Sequence, residues 1–235
     1  MLRKLDHRNM GKSDLGWLRS TFHFSFADYF NIDNMNFGVL RVINDDLIAA
    51  GTGFDYHQHK DMEIVSYVIN GELTHGDTMG HKNTIYRGQV QYMSAGTGVY
   101  HSEHNLGDKT ARLLQIWIVP DKKNYKPAYG DYRFKEEDRK NKWLNIVSSK
   151  YGNAPIKINQ DANFYVVELD EGKEIDFKVE FNRQAYLIQI EGDSIINNFE
   201  LNERDALEII EENINIKANK KSHILVIEMK KQLKW

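Results

Sequence analysis

Two short motifs in the chain have metal-binding character, His57-Gln58-His59 and His101-Ser102-Glu103. On an extended strand, residues i and i+2 project from the same face, so each motif offers two donor groups to one side. Two adjacent strands turning these pairs into one interior would bring three imidazoles and a carboxylate to a point. Such a nitrogen and oxygen set suits iron, manganese, cobalt, nickel, copper or zinc. The chain of 235 residues has no cysteine, which removes thiolate ligands and disulfides alike. Eight of its nine histidines precede residue 105, so an imidazole-based site belongs to the first half. His7, His23, His75, His81, His104 and His223 lack a partner at ligand spacing. For these six, places on the surface or behind the ligands are expected.

The elements that must position the two motifs read as short strands. Gly51-Thr-Gly53 before the first motif and Gly96-Thr-Gly98 before the second mark strand entries where backbones approach closely. Phe37–Ile43 reads as a strand closed by the turn-forming Asn44-Asp45-Asp46. Glu63–Ile69 is closed by Asn70-Gly71, a strong hairpin signal. Further strands are expected at Asn83–Tyr86, Val90–Met93, Gly98–Glu103 and Leu113–Val119, the last ended by Pro120. The charged stretch from Asp121 to Lys142 reads as a linker with room for a short helix. Beyond it come Ile156–Ile158, Asn163–Glu168, Lys173–Phe177, Ala185–Ile190, Ser194–Ile196, Ala206–Ile210 and His223–Met229. Strands recurring in this way predict an all-β sandwich or barrel. Tyr67-Val-Ile-Asn-Gly71 and Leu187-Ile-Gln-Ile-Glu-Gly192 echo each other as strands ending in a glycine turn, which suggests duplication.

Composition narrows the partners. Hydrophobic residues make up 41% and charged residues 28%, as in globular proteins. A net charge of -3 gives no electrostatic reason to expect nucleic acid or an anionic membrane. Lys220-Lys221 and Lys230-Lys231 read as solvated surface. The stretch Met1-Leu-Arg-Lys-Leu-Asp-His7 lacks an apolar h-region, and no apolar run approaches the roughly 18 residues that span a bilayer. A cytoplasmic location is the expectation.

These residues resemble the cupin motifs. Gly51, His57, His59, Glu63 and Gly71 follow the first, with one extra residue before the last glycine. Gly88, Gly98, His101 and Asn105 follow the second, which lacks its usual proline near Ser94. Longer blocks resemble the bacterial pirin family: Asn44-Asp-Asp-Leu47, His57-Gln-His-Lys-Asp-Met-Glu63, Met93-Ser-Ala-Gly-Thr-Gly-Val-Tyr-His-Ser-Glu-His-Asn105 and Gln115-Ile-Trp-Ile-Val-Pro120. Gly16-Trp17 followed by Phe22-His-Phe-Ser-Phe-Ala27 does so too. The resemblance spans nearly the whole N-terminal half and the linker, and continues more faintly to the C-terminus.

That resemblance implies an all-β bicupin, two face-to-face antiparallel β-barrels of jelly-roll type with few short helices. It implies a metal-binding cupin over residues 1–135, including the start of the linker. Residues 136–235 would form a metal-free cupin serving as lid or wall. His57, His59, His101 and Glu103 are the implied ligands. Glu103 replaces Glu63 as the carboxylate, leaving Glu63 behind the ligands or in a structural role. Iron(II) is the implied metal, with nickel, copper, zinc, manganese and cobalt as alternatives.

Some pirin-type proteins are similar in activity to quercetin 2,3-dioxygenases. The implied reaction is ring cleavage of a flavonol by dioxygen, with Glu103 both ligating metal and accepting the proton of the substrate hydroxyl. The other implied reading is a non-catalytic, metal-binding regulatory module acting on a protein partner. A sizeable apolar cavity reaching the metal favours the enzyme, and a shallow one favours the module. Phe24, Phe26, Tyr29, Phe30, Tyr67 and Tyr92 are candidates to line such a cavity, although each singly is more often core.

Overall fold

The computed structural model describes residues 1–232. Regular structure among them consists of strands and three single-turn 3-10 helices, His7–Asn9, Ile32–Asn34 and Glu136–Asp138. The all-β expectation holds. No helix of the described residues is long and apolar enough to cross a membrane.

In chain order the first strands are β1 (Leu2–Leu5), β2 (Gly11–Asp14), β3 (Leu18–Phe22), β4 (Leu40–Ile48), β5 (Thr52–His59) and β6 (Glu63–Asn70). Next come β7 (Glu72–Asp77), β8 (Lys82–Tyr86), β9 (Val90–Ser94), β10 (Val99–Asn105), β11 (Ala111–Ile118) and β12 (Ala128–Tyr132). The remainder are β13 (Leu144–Ser149), β14 (Ile156–Ile158), β15 (Ala162–Leu169), β16 (Glu174–Phe177) and β17 (Arg183–Glu191). They are followed by β18 (Ser194–Ile196), β19 (Phe199–Leu201), β20 (Ala206–Ile210), β21 (Ile214–Ala218) and β22 (Ser222–Lys230).

Two compact units result. One comprises Gly11–Phe134 with Ile158–Gln160; the other comprises Met1–Met10, Lys135–Lys157 and the described residues from Asp161 onward. The first unit has a seven-stranded sheet, β12-β9-β6-β11-β4-β3-β2, and a four-stranded sheet, β5-β10-β7-β8. The second has β1-β20-β17-β22-β15-β13-β14 and β16-β21-β18-β19. Strands β4 to β11 therefore occupy the same places as β15 to β22. Strand β1 takes the edge place beside β20 that β12 takes beside β9. The echoing segments of sequence end β6 and β17, which correspond in this scheme.

Four details depart from the sequence reading. Asn44-Asp45-Asp46 is not a turn, since β4 runs straight through it. Its two aspartates are satisfied inside the sheet: Asp45 pairs with Arg112 at 2.8 Å and Asp46 accepts from Ser20 Oγ at 2.5 Å. Gly71 does turn, at φ 74°, but β6 and β7 enter different sheets, so no hairpin forms. The expected linker contains β12, paired along β9 with Tyr129 opposite Met93. Just before β12 the chain passes so close to Gly96 that a Cβ there would lie 1.9 Å from the Tyr125 carbonyl oxygen. Finally, residues 1–135 were expected together, yet Met1–Met10 packs in the second unit, where β1 pairs with β20 and Arg3 bonds Glu208.

Candidate metal centre

Strands β5 and β10 pair antiparallel with His101 directly opposite His57. Between His101 and Glu103 the register shifts, so that Glu103 stands opposite Phe54. Asp55 and Tyr56 on β5 thus face Ser102 alone on β10, a bulge that keeps Phe54, His57 and His59 all on the cavity side. The rings of His57 and His101 lie 4.4 Å apart, those of His57 and His59 4.8 Å, and those of His59 and His101 4.9 Å. One nitrogen from each of the three lies within 4.8 Å of the others.

The protonation of the cluster suits ligation. His57 Nδ1 sits 2.8 Å from the Asp55 carbonyl oxygen, which can only accept, so its proton is on Nδ1 and Nε2 keeps a free lone pair. His101 is 2% exposed, and neither ring nitrogen has a hydrogen-bond partner among the described residues. Burial, with His101 and His57 nearby, pushes His59 down to about 4. Burial with His57 and His75 nearby pushes His101 down to about 3. Both rings are therefore neutral near pH 7, as a metal requires. Orphaned buried nitrogens converging with a carboxylate fit a divalent transition metal.

Glu103 approaches the cluster through His101. One of its oxygens and ring nitrogens of His101 and His75 lie within 4.8 Å of one another. Its carboxylate rests on the large sheet. Gln91 Nε2 donates to Oε1 at 2.6 Å, Gln115 Nε2 donates to Oε2 at 2.6 Å, and Ser66 Oγ lies 3.0 Å from Oε1. Gln91, Ser66, Gln115 and Asn44 form one register row across β9, β6, β11 and β4. Sequence reasoning missed this row. Its signal was a polar residue in the middle of each apolar strand, which a buried sheet tolerates only when it is hydrogen-bonded.

The other candidates separate cleanly. Glu63 is buried and structural, accepting from Tyr92 Oη at 2.7 Å, Ser94 Oγ at 2.7 Å and the Asn159 backbone N–H at 2.9 Å. His75 lies deeper than a surface residue: buried opposite Glu103, it bonds Asp77 at 2.9 Å and stacks on Tyr129 at 4.3 Å. His81 also reaches Asp77, at 3.0 Å. His23 and His223 are buried, whereas His104 meets the exposed Asp55. In the second unit, His7 pairs with Asp205, which also holds Lys4.

A cavity of about 310 Å³ opens onto His57, His59 and Glu103. Leu15, Leu18, Phe22, Phe26, Phe54 and Trp117 form its apolar walls, and Ser20, Asn44, Asp46 and Gln115 its polar part. The Trp117 ring meets His59 edge-on at 4.8 Å and Phe26 at 5.5 Å. Of the six aromatics expected to line it, only Phe26 does so. Phe24 and Tyr67 are core, Tyr92 serves Glu63, and Tyr29 and Phe30 border a different cavity.

Two all-β units with one strand order, and an imidazole cluster in the first of them, define a bicupin. The pirin family pattern matches residues 4–118, and that of the quercetinase C-terminal cupin domain matches residues 145–229. A quercetin 2,3-dioxygenase of Escherichia coli is 37% identical over 97% of this chain and 97% of its own. A pirin-like protein of Caulobacter vibrioides is 39% identical over 90% of this chain and 92% of its own. The bacterial pirin YhhW of Escherichia coli, in complex with nickel(II), superposes with a TM-score of 0.92 at 34% identity, covering 99% of this chain and 100% of that one. This chain belongs to the pirin family.

Proposed function

We propose that this protein is a metal-dependent dioxygenase that opens the central ring of a flavonol, consuming dioxygen and releasing carbon monoxide. The observation that carries this reading is the cavity, whose aromatic and aliphatic walls end on His57, His59 and Glu103. A regulatory module working through its surface has no use for an apolar chamber of ligand size at the centre. The name of the Escherichia coli relative supports the same reading.

His57, His59, His101 and Glu103 would hold one divalent metal. Iron(II) is the ion that the family resemblance suggests, and nickel(II) is the ion bound to the YhhW relative. When bound, such a metal supplies Lewis acidity that lowers the pKa of a coordinated hydroxyl. The chain's own residues do the rest. Glu103, its carboxylate fixed by Gln91, Gln115 and Ser66, accepts the proton of the substrate 3-hydroxyl. Phe22, Phe26, Phe54 and Trp117 hold the flat rings and exclude water from the reacting carbons. The Asp55 carbonyl keeps His57 in the tautomer that presents Nε2. Purified protein loaded in turn with iron(II), nickel(II), copper(II), zinc(II), manganese(II) and cobalt(II) is expected to consume a flavonol and release carbon monoxide with at least one ion. Absence of both signals with every ion defeats the reading.

A further inference from the structure

The cavity carries two polar groups that the four-residue centre does not use. Asn44 and Asp46 stand two apart on β4, so they share a strand face, and both line the cavity. Asn44 is 4% exposed, and its Oδ1 has no hydrogen-bond partner among the described residues. A buried acceptor left unpaired is costly, and native proteins rarely keep one without a use. Asp46 is 3% exposed and meets Ser20 Oγ at 2.5 Å. Burial pushes its carboxyl up to about 7, against the pull of the Ser20 bond and with Asp45 and Glu103 adding to the rise. A protonated fraction therefore persists near neutrality, able to donate as well as accept. Around this pair the walls are aromatic and aliphatic, the surroundings of a flat ring.

We propose that Asn44 and Asp46 form a hydroxyl-binding edge of the pocket, orienting a planar, polyhydroxylated aromatic substrate. One phenolic hydroxyl donates to Asn44 Oδ1 and a second pairs with the Asp46 carboxyl. The inference rests on the flavonol reading above and adds which flavonols the pocket prefers, namely those with ring hydroxyls beyond the one at position 3.

Anaerobic fluorescence titration of the nickel(II)-loaded protein tests it with two probes, a flavonol bearing only the 3-hydroxyl and quercetin. The wild-type protein is expected to bind quercetin about a hundredfold more tightly than the bare flavonol, roughly a decade for each of the two hydrogen bonds gained. Asn44→Leu and Asp46→Leu each reduce that preference about tenfold, read as the ratio of the two affinities within one variant, with metal content checked by elemental analysis. The milder Asn44→Ser, which stays polar but shortens the side chain so that its oxygen falls short of the substrate hydroxyl, also loses preference and guards against a leucine variant that does not fold. Equal wild-type affinities, or a preference that survives in the folded variants, overturns the hydroxyl edge alone. Failure of the wild-type protein to bind either probe overturns the flavonol reading, and this inference with it.

Discussion

The two units put one strand order to opposite uses. In the second, β16 and β21 turn Phe177, Ile214 and Ile216 into an apolar cluster with Val167, Leu187, Leu207 and Ile224. Along β21, buried Ile214, Ile216 and Ala218 alternate with exposed Asn215 and Lys217, the pattern of a sheet with one face packed and one wet. In the first unit the corresponding strands are β5 and β10, and they carry imidazoles and a carboxylate inward instead. The apolar core there includes two separate clusters, one around Leu18, Val68 and Leu113 and another around Ile64, Met93 and Val99. A polar row of Gln91, Ser66, Gln115 and Asn44 crosses the large sheet of the same unit. The same scaffold thus supports either a packed or a ligating interior, and a few inward positions decide which. The first unit forgoes hydrophobic burial at those positions, so its centre relies on hydrogen bonds for order.

The largest effect should follow from removing a ligand. His101→Ala is expected to abolish both bound metal and flavonol turnover, read by elemental analysis and carbon monoxide release. Stoichiometric metal in that variant would break the contrast between ligating and packed interiors. The mirror experiment lies in the second unit. Ile216→Ala should cost about 2–5 kcal/mol of stability, as buried large-to-small changes do, measured by denaturant midpoint. Metal content per folded chain should not change. If Ile216→Ala empties the site, the two interiors are coupled and the division of labour fails.

Much of this contrast was legible in the sequence. The i,i+2 spacing placed His57, His59, His101 and Glu103 on two strands, and the structure pairs those strands with His101 against His57. The all-β class and the echo at Gly71 and Gly192 were visible too, because alternation and glycine turns are local signals. What stayed hidden depends on partners far along the chain. Asn44-Asp45-Asp46 has the composition of a turn, yet it lies in a strand between β3 and β11 where Arg112 bonds Asp45 and Ser20 bonds Asp46. Strand β12 lies in a charged stretch, and its pairing with β9 comes from tertiary context. The amino-terminal strand β1 serves a sheet whose neighbouring strand, β20, begins at residue 206, a distance no periodicity spans. The cradle of Glu103 required knowing that three polar residues from three strands fall in one row.

That cradle offers a sharper test of the first interior. Gln115→Leu removes one donor from the Glu103 carboxylate and leaves the four proposed ligands in place. Metal affinity or turnover should fall about 10–100-fold, the usual range when a group supporting a ligand is lost. Competition with a chelator measures the affinity. An unchanged value would mean that Gln91 and Ser66 alone fix the carboxylate, narrowing the row to its β6–β9 half.

The smallest expected effect concerns the pH dependence of folding. Asp46 has its carboxyl raised by burial from 3.8 to about 7, so the folded state binds this proton more tightly than the unfolded state. Its contribution to stability is complete below the unfolded value and is lost as pH rises through the folded one. His23, pushed down by burial to about 4, acts in the opposite sense: its contribution is present above 6.5 and is lost as pH falls. The two trends partly cancel in the wild-type protein, so the informative quantity is a difference between proteins. Asp46→Asn cannot ionise and leaves His23 untouched. Relative to wild type, it should gain stability steadily between about pH 4 and about pH 7, measured as the denaturant midpoint at each pH. A difference that stays flat would show that Asp46 ionises normally in the folded protein, and would withdraw its carboxyl as a hydrogen-bond donor in the cavity.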